Sequence, residues 1–328
     1  MAKELATDGK AAVTAWGDSG ALVTPAYFPA LSSTATGMHV VDLMELVAQS
    51  GYPRVLVSAY DLAKASSAER ARLKAAVQVH RKKGNIAFLD SGVYESYWKQ
   101  DGGWSYDDFA IAASVITPDI FTTYDGAVHR GGPASSKGYS ASHISSSRAT
   151  TPEALCLAIV HGDSRDRLVK AVTEVAMEAL VPNGVAIPER QCGPNIYARI
   201  ETVRRIRQAL DKLPGRPMLH VLGCGHPQAI AAYVLAGADC FDSLDWMQVG
   251  LDPLTRSYTD LAMIGAIQCT CAVCSRLSID NPQRNLLHNL RYYQDFGHEL
   301  QRMVREGTLQ HVVQEFLGQK AVSLAGVT

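Results

Sequence analysis

The sequence predicts an α/β protein, a (β/α)8 TIM-type barrel with an inserted or appended structural zinc subdomain, and three observations carry that reading. Strand-like and helix-like segments alternate about seven or eight times over roughly 230 residues, which demands a parallel sheet and matches the repeat count of a closed barrel. Nearly every strand-like run ends in an acid or a histidine. Beyond the last repeat, three thiols fall within six residues, at Cys269, Cys271 and Cys274. The barrel is expected over residues 1–262, and the zinc-binding subdomain with C-terminal helices over residues 263–328.

The elements follow in order. After a polar start, Gly20 to Pro29 alternates small and apolar residues and reads as a strand or hairpin. A helical stretch near Val40 to Ala48 precedes a strand at Arg54 to Tyr60. Ser66 to Lys83 is an amphipathic helix, with Ala, Leu and Val recurring at three and four residues among charges, and Gly84 stops it. Asn85 to Asp90 is a short buried strand ending in a carboxylate. A helix near Tyr106 to Val115 leads to a strand from Pro118 that ends at Asp125. Leu155 to His161 ends in histidine, and Ser164 caps a helix to Leu180. Gly184 to Glu189 ends in glutamate before a helix from Pro194 to Lys212. Pro217 to Gly223 leads into the helix Gln228 to Leu235, and Ala238 to Asp242 supplies one more strand ending in an acid.

In such a barrel the strand C-termini line one mouth, so Asp90, Asp125, His161, Glu189 and Asp242 should converge although they are far apart in sequence. Any one of them alone is more often a helix cap or a solvated loop acid. Their convergence is the functional signal. Dinucleotide, nucleoside triphosphate and acyl-serine chemistry are disfavoured, because no GxGxxG, P-loop or GxSxG motif falls in register.

The thiol cluster can hold one tetrahedral ion only if a fourth ligand joins it. His288 is the natural fourth, and His298 on the same apparent helix is the rival. A Cys3His set is closed, so the ion would be structural Zn2+ and catalysis must sit elsewhere. The chain has 328 residues, is 47% hydrophobic and 19% charged, and holds seven cysteines. An odd cysteine count with a cluster fits a reducing compartment and a metal site better than a disulfide framework. With no apolar run of about 18 residues and no signal-peptide core at the N-terminus, membrane association is not expected and a cytoplasmic location is. The formal net charge of −1 gives no global bias toward nucleic acid, so such a partner would be held by local basic patches. One is the segment from Gly126 to Pro152, which carries Arg130, Lys137 and Arg148, two histidines and no acid before Glu153. It reads equally as a mobile cationic insertion at the mouth or as a disordered surface loop. Further basic clusters are Arg81 with Lys82 and Lys83, Arg204, Arg205 and Arg207, and Arg276, Arg284 and Arg291 around the zinc site.

Several motifs together resemble the tRNA-guanine transglycosylase superfamily, barrels with an inserted zinc site. Cys269-x-Cys271-x-x-Cys274 with His288-Asn-Leu-Arg-Tyr-Tyr293 resembles that family's zinc motif. Asp90-Ser91-Gly92 resembles the element whose aspartate is the general acid/base, and Phe241-Asp242-Ser243 the element carrying the nucleophile. Leu222 to Pro227 and Thr24 to Pro29 are similar to the archaeal-type branch. The chain departs from the family pattern elsewhere. Val93 replaces the second glycine of Asp-Ser-Gly-Gly, and Tyr94 follows as a stacking surface for the base. Asp125-Gly-Ala stands for Asp-Glu-Cys, His161-Gly162 for Gln-Gly, and Ile187-Pro-Glu189-Arg190 for a Gly-Gly-Leu-type segment. Leu244 to Gln248 follows the nucleophile instead of Pro-Thr-Arg. The sequence runs to Thr328, and no separate RNA-binding domain is expected after the zinc region.

This combination is most similar to the DNA-guanine transglycosylases that place 7-deazaguanine bases into DNA. The resemblance implies catalytic Asp242 and Asp90, and a base site built from Asp125, Tyr94, His161, Ser91, Gly92 and Glu189. The implied partners are DNA, with tRNA as the alternative, and a free 7-deazaguanine base such as the 7-cyano form. Accessory proteins of a modification system and a homodimer paired through the zinc region are further implied partners. A non-catalytic zinc-containing nucleic-acid-binding subunit is the alternative from another class; the presence of both aspartates counts against it.

Overall fold

A computed structural model of the chain describes residues 3–5, 13–15, 21–34, 37–126, 137–178, 183–279 and 281–327. Eight parallel strands close into a barrel in sequence order. They are β1 (Ala26–Leu31), β2 (Arg54–Ser58), β3 (Ile86–Asp90), β4 (Ile120–Thr122), β5 (Leu155–Ile159), β6 (Gly184–Pro188), β7 (Met218–Leu222) and β8 (Cys240–Ser243). Closure runs through β8 and β1, where Asp242 is registered against Phe28. The expected (β/α)8 architecture is therefore present. Three short antiparallel strands, Lys3–Leu5, Val13–Ala15 and Ala21–Val23, lead into it.

The strands are buried on both faces, which is why they read as near-continuous apolar runs. Successive side chains point to opposite faces. Ala26, Phe28, Leu56, Ile86, Phe88, Ile120, Leu157, Ala186, Met218 and Cys240 form one buried cluster inside the barrel. Tyr27, Val55, Val57, Leu89, Phe121, Val185, Leu219 and Phe241 pack outward in a second cluster with the helices. Phe28 and Phe88 meet edge to face at 5.3 Å in the centre, and truncating either to alanine would cost about 3–5 kcal/mol.

The helices between strands are α1 (Val40–Ser50), α2 (Ala59–Lys64), α3 (Ser67–Lys82), α4 (Val93–Trp98), α5 (Tyr106–Ile116), α6 (Ala141–Thr150), α7 (Arg165–Met177), α8 (Ile196–Leu210) and α9 (Pro227–Leu235). Ser66 and Glu69 close a reciprocal capping box at the start of α3, satisfying two N–H groups the helix cannot bond internally. The segment from Gly126 to Pro152 is helical over α6, which corrects the expectation of a mobile or disordered stretch there. Ile144 and Ser147 are buried, Ser147 Oγ accepts the Tyr124 N–H at 3.3 Å, and His143 stacks on Tyr106 at 5.6 Å. Of its cations, Arg130 lies outside the described residues, Lys137 faces Glu178 at 3.9 Å and Arg148 is exposed.

After β8 come α10 (Asp245–Gln248), a hairpin of β9 (Gly250–Asp252) and β10 (Ser257–Thr259), and the long helices α11 (Arg284–Glu306) and α12 (Leu309–Leu324). One face of α11 docks on the barrel. Tyr293 stacks on Tyr27 with ring centres 3.7 Å apart, and its hydroxyl donates to the Gly225 carbonyl at 2.7 Å. Asn289 donates to the carbonyls of Trp246 and Val249 and accepts from Leu251 N–H, so one side chain satisfies three backbone groups of the turn after β8. No helix among the described residues is long and apolar enough to cross a membrane.

Candidate active site

Strand periodicity decides which polar residues reach the barrel mouth. Asp90 continues the inward row Ile86, Phe88, and Asp242 continues the inward row from Cys240. Both line a cavity of about 600 Å3 at the strand C-termini, together with Ser91, Tyr94, Asp125, His161 and Glu189. That volume suits a ligand of small-molecule size. The five residues expected at the mouth, and seven of the eight that the resemblance implies for catalysis and the base site, are thus brought together. The eighth, Gly92, acts through its backbone: its N–H donates to Asp90 Oδ2 at 3.1 Å. Its φ of +75° and the 2.4 Å approach of a notional Cβ to the Tyr60 backbone admit only glycine.

Asp90 is half-buried at the cavity floor. Thr122 Oγ1 donates to its Oδ1 at 3.2 Å. Burial raises its pKa to about 7, the charges of Asp125 and Asp242 push the same way, and the Gly92 N–H opposes them. Near neutral pH this carboxyl can therefore both give and take a proton.

Asp242 sits in a different environment. His220 Nε2 lies 2.7 Å from its Oδ1, and the Gly223 N–H reaches the same oxygen at 3.4 Å. His220 is wholly buried on the inward row of β7, edge-on to Phe88 at 5.1 Å. Its Nδ1 is buried without a hydrogen-bond partner. A proton on Nδ1 would strand a buried N–H, so Nε2 is the nitrogen that carries the proton and donates to Asp242. With Oδ1 held, Oδ2 is the oxygen left to face the cavity.

Asp125 and His161 lie two to three residues beyond their strands and meet at 2.7 Å between Oδ2 and Nε2. The proton positions follow from a chain of contacts. Gly162 N–H donates to Gln191 Oε1 at 2.9 Å, which turns the Gln191 amide nitrogen toward His161 Nδ1 at 3.2 Å. Nδ1 therefore accepts, and Nε2–H donates to Asp125.

Glu189 falls on the outward parity of β6. Its Oε1 accepts from Arg199 Nη1 and Tyr233 OH, each at 2.8 Å, so it borders the cavity while its carboxylate ties α8 to α9. Three residues of the site were missed in the sequence. His220 carried a signal, its inward parity two residues before Leu222. Gln191 carried none. Glu95 sits on α4, is 5% exposed and borders the cavity. Ser58 Oγ donates to its Oε2 at 2.8 Å, and burial, then Asp90 and Asp61, raise its pKa to about 8.

Outside the mouth, Cys269, Cys271, Cys274 and His288 place one ligand atom each within 4.8 Å of the others, the one group among the described residues gathered to hold a metal ion. His288 Nδ1 is 3.3 Å from Cys274 Sγ and 3.7 Å from Cys271 Sγ. Tetrahedral bonds of about 2.3 Å to sulfur and 2.0 Å to nitrogen require separations of about 3.5 Å, so the set fits. His288 Nε2 donates to the Leu251 carbonyl at 2.7 Å, leaving Nδ1 as the ligand. His298, one helical face further along α11, is not in the cluster.

These features define a closed (β/α)8-barrel protein with a carboxyl-lined cavity at the strand ends and, outside it, a Cys3His cluster that could hold a metal ion. No protein-family model matches the chain. The chain is similar to the tRNA-guanine(15) transglycosylase of Methanothermobacter thermautotrophicus, with 26% identity over 167 residues. It is equally similar, at 26% over 168 residues, to the proteins of that name from Methanococcus aeolicus and Methanocaldococcus jannaschii. Each match covers 47% of this chain and 25% of the relative, so the chain spans about a quarter of the length of the curated relatives it matches.

Proposed function

We propose that this protein is a base-exchange transglycosylase that replaces guanine in a polynucleotide with a 7-deazaguanine through a covalent sugar–Asp242 intermediate. One observation carries the reading: Asp90 and Asp242 face one cavity in unlike settings, one able to hold a proton near neutrality and the other hydrogen-bonded by His220. Exchange without hydrolysis needs that division of labour.

In the first half-reaction Asp242 Oδ2 attacks C1′, the C1′–N9 bond breaks, and Asp90 gives its proton to the departing guanine. In the second, N9 of the incoming base attacks C1′ and displaces Asp242 while its proton passes to Asp90. Two inversions retain the configuration. Asp125, oriented by His161 and Gln191, accepts from the N1–H and exocyclic amine of the base, and Tyr94 and Ser91 border the same pocket. Zn2+ on the Cys3His set would hold the segment before α11 against the barrel, away from the chemistry.

The relatives' names favour tRNA as the polynucleotide. DNA is a second reading, supported by the departures after Asp125, at Ile187 to Arg190 and after Asp242. The test is transfer of labelled guanine, then of 7-cyano-7-deazaguanine, into tRNA and DNA in parallel, with Asp242→Asn as control. Label absent from both polymers, or present at an undiminished rate in the control, refutes the proposal.

A further inference from the structure

The helix that follows Asp90 carries an exposure pattern the chemistry above does not use. On α4, Tyr94 is 42% exposed, Tyr97 64% and Trp98 56%, and among the described residues these are the exposed aromatic side chains. They stand at i, i+3 and i+4, so they share one face. Trp98 meets Tyr94 edge-on at 6.1 Å and Tyr97 at 5.6 Å. The opposite face is pinned: Val93, Glu95 and Ser96 are buried. The preceding turn is held by Trp104 Nε1 donating to the Ser91 carbonyl at 3.1 Å. The rings are thus presented on a rigid base.

Two facts identify what covers them. Tyr94 and Tyr97 line the same cavity as Asp90 and Asp242, so a molecule reaching C1′ at the floor passes across these rings. The exposure of all three side chains leaves aromatic surface to solvent, which suits planar groups with a π-face. We propose that Tyr97 and Trp98 form a stacking platform for the unpaired nucleobases flanking the target guanine, so that the substrate strand is bound single-stranded at the site. This rests on the polynucleotide reading above and adds the form in which the polymer is held. A guanine drawn from its stack leaves neighbours without a partner, and the platform replaces the stacking they lose.

The experiment uses the full chain and single-stranded DNA and RNA oligonucleotides carrying 2-aminopurine beside the target guanine. The wild type is expected to quench the probe and to change its own fluorescence on binding, with the Trp98 share identified by Trp98→Phe. In Tyr97→Ala/Trp98→Ala, oligonucleotide affinity should fall about tenfold to a hundredfold, the loss of stacking for one to two bases. Exchange at saturating oligonucleotide should stay within about twofold, because neither residue touches the reacting atoms. Tyr97→Phe and Trp98→Phe, which keep the ring faces, should restore affinity. Equal affinity of the alanine variant and the wild type overturns the proposal, as does tighter binding of intact duplex than of single strand. Ring-dependent binding without base exchange in any polymer would leave the platform standing and refute the function. Exchange that proceeds with the same KM for the oligonucleotide in the alanine variant as in the wild type would do the reverse.

Discussion

Asp90 offers the sharpest test of the proposed chemistry, because its protonation state ties activity and stability to one number. Its pKa is raised from 3.8 to about 7, first by burial and then by Asp125 and Asp242. An unshifted aspartic acid would be protonated in roughly one molecule in a thousand at pH 7, whereas a pKa of about 7 makes that roughly one in two. As the acid in the first half-reaction, Asp90 must be protonated, so kcat/KM for guanine release should be level below the shifted pKa and fall about tenfold per pH unit above it. Stability runs by the same linkage. A carboxyl with a raised folded pKa opposes folding: the cost is absent below the unfolded value, grows as pH rises toward the folded value, and is complete above it. Three units correspond to at most about 4 kcal/mol. Asp90→Asn should therefore abolish exchange while raising the melting temperature at pH 8, with a much smaller gain at pH 5. The assay is labelled-guanine exchange across about pH 5–9 with thermal melts of both proteins. An activity profile flat to pH 9, or a variant no more stable than the wild type at pH 8, refutes the reasoning.

Three further outcomes follow from the same geometry. His220→Phe removes a donor to the nucleophile and also an orphaned buried nitrogen. Single-turnover formation of the sugar–protein adduct should drop about tenfold to a hundredfold, the worth of one hydrogen bond to a charged group. Glu95→Gln should stabilise the fold by a few kcal/mol above pH 8, where the buried Glu95 must ionise, and by little at pH 5; chemical denaturation at the two pH values measures it. Cys274→Ser should lose bound zinc, read by metal analysis, and lower the melting temperature as the segment before α11 loosens. Chelation of the wild type should reproduce that shift.

The parity of the strands made much of the site legible in advance. Asp90 and Asp242 continue inward rows that can be counted in the sequence, and the barrel follows from the repeat of strand and helix. The same rule explains Glu189. It sits one residue past an inward position, so its carboxylate turns outward to Arg199 and Tyr233 although it borders the cavity. His220 was legible by the same count, and was overlooked because it lies inside the strand instead of at its end. α6 escaped because its serine-rich sequence has low helix propensity, and it is held by packing of Ile144 and Ser147.

Other features had no local trace. Gln191 sets the tautomer of His161 only because the turn after β6 brings it beside Gly162. Thiol spacing and a histidine fourteen residues after Cys274 pointed to the four side chains whose ligand atoms the fold gathers within 4.8 Å. The choice of His288 over His298 was settled by which turn of α11 faces the thiols. The sequence by itself determined the alternation of elements, the inward rows and the chemical character of the strand ends, since these depend on periodicities of two and about 3.6 residues carried by neighbouring residues. Only the tertiary structure decided that the Asp90 carboxyl is raised to about 7 and that His220 and the Gly223 N–H meet Asp242. Desolvation and the field of other carboxyls depend on groups 35 to 152 positions away, such as Asp125 and Asp242 for Asp90, and distance along the chain says nothing of distance across the barrel.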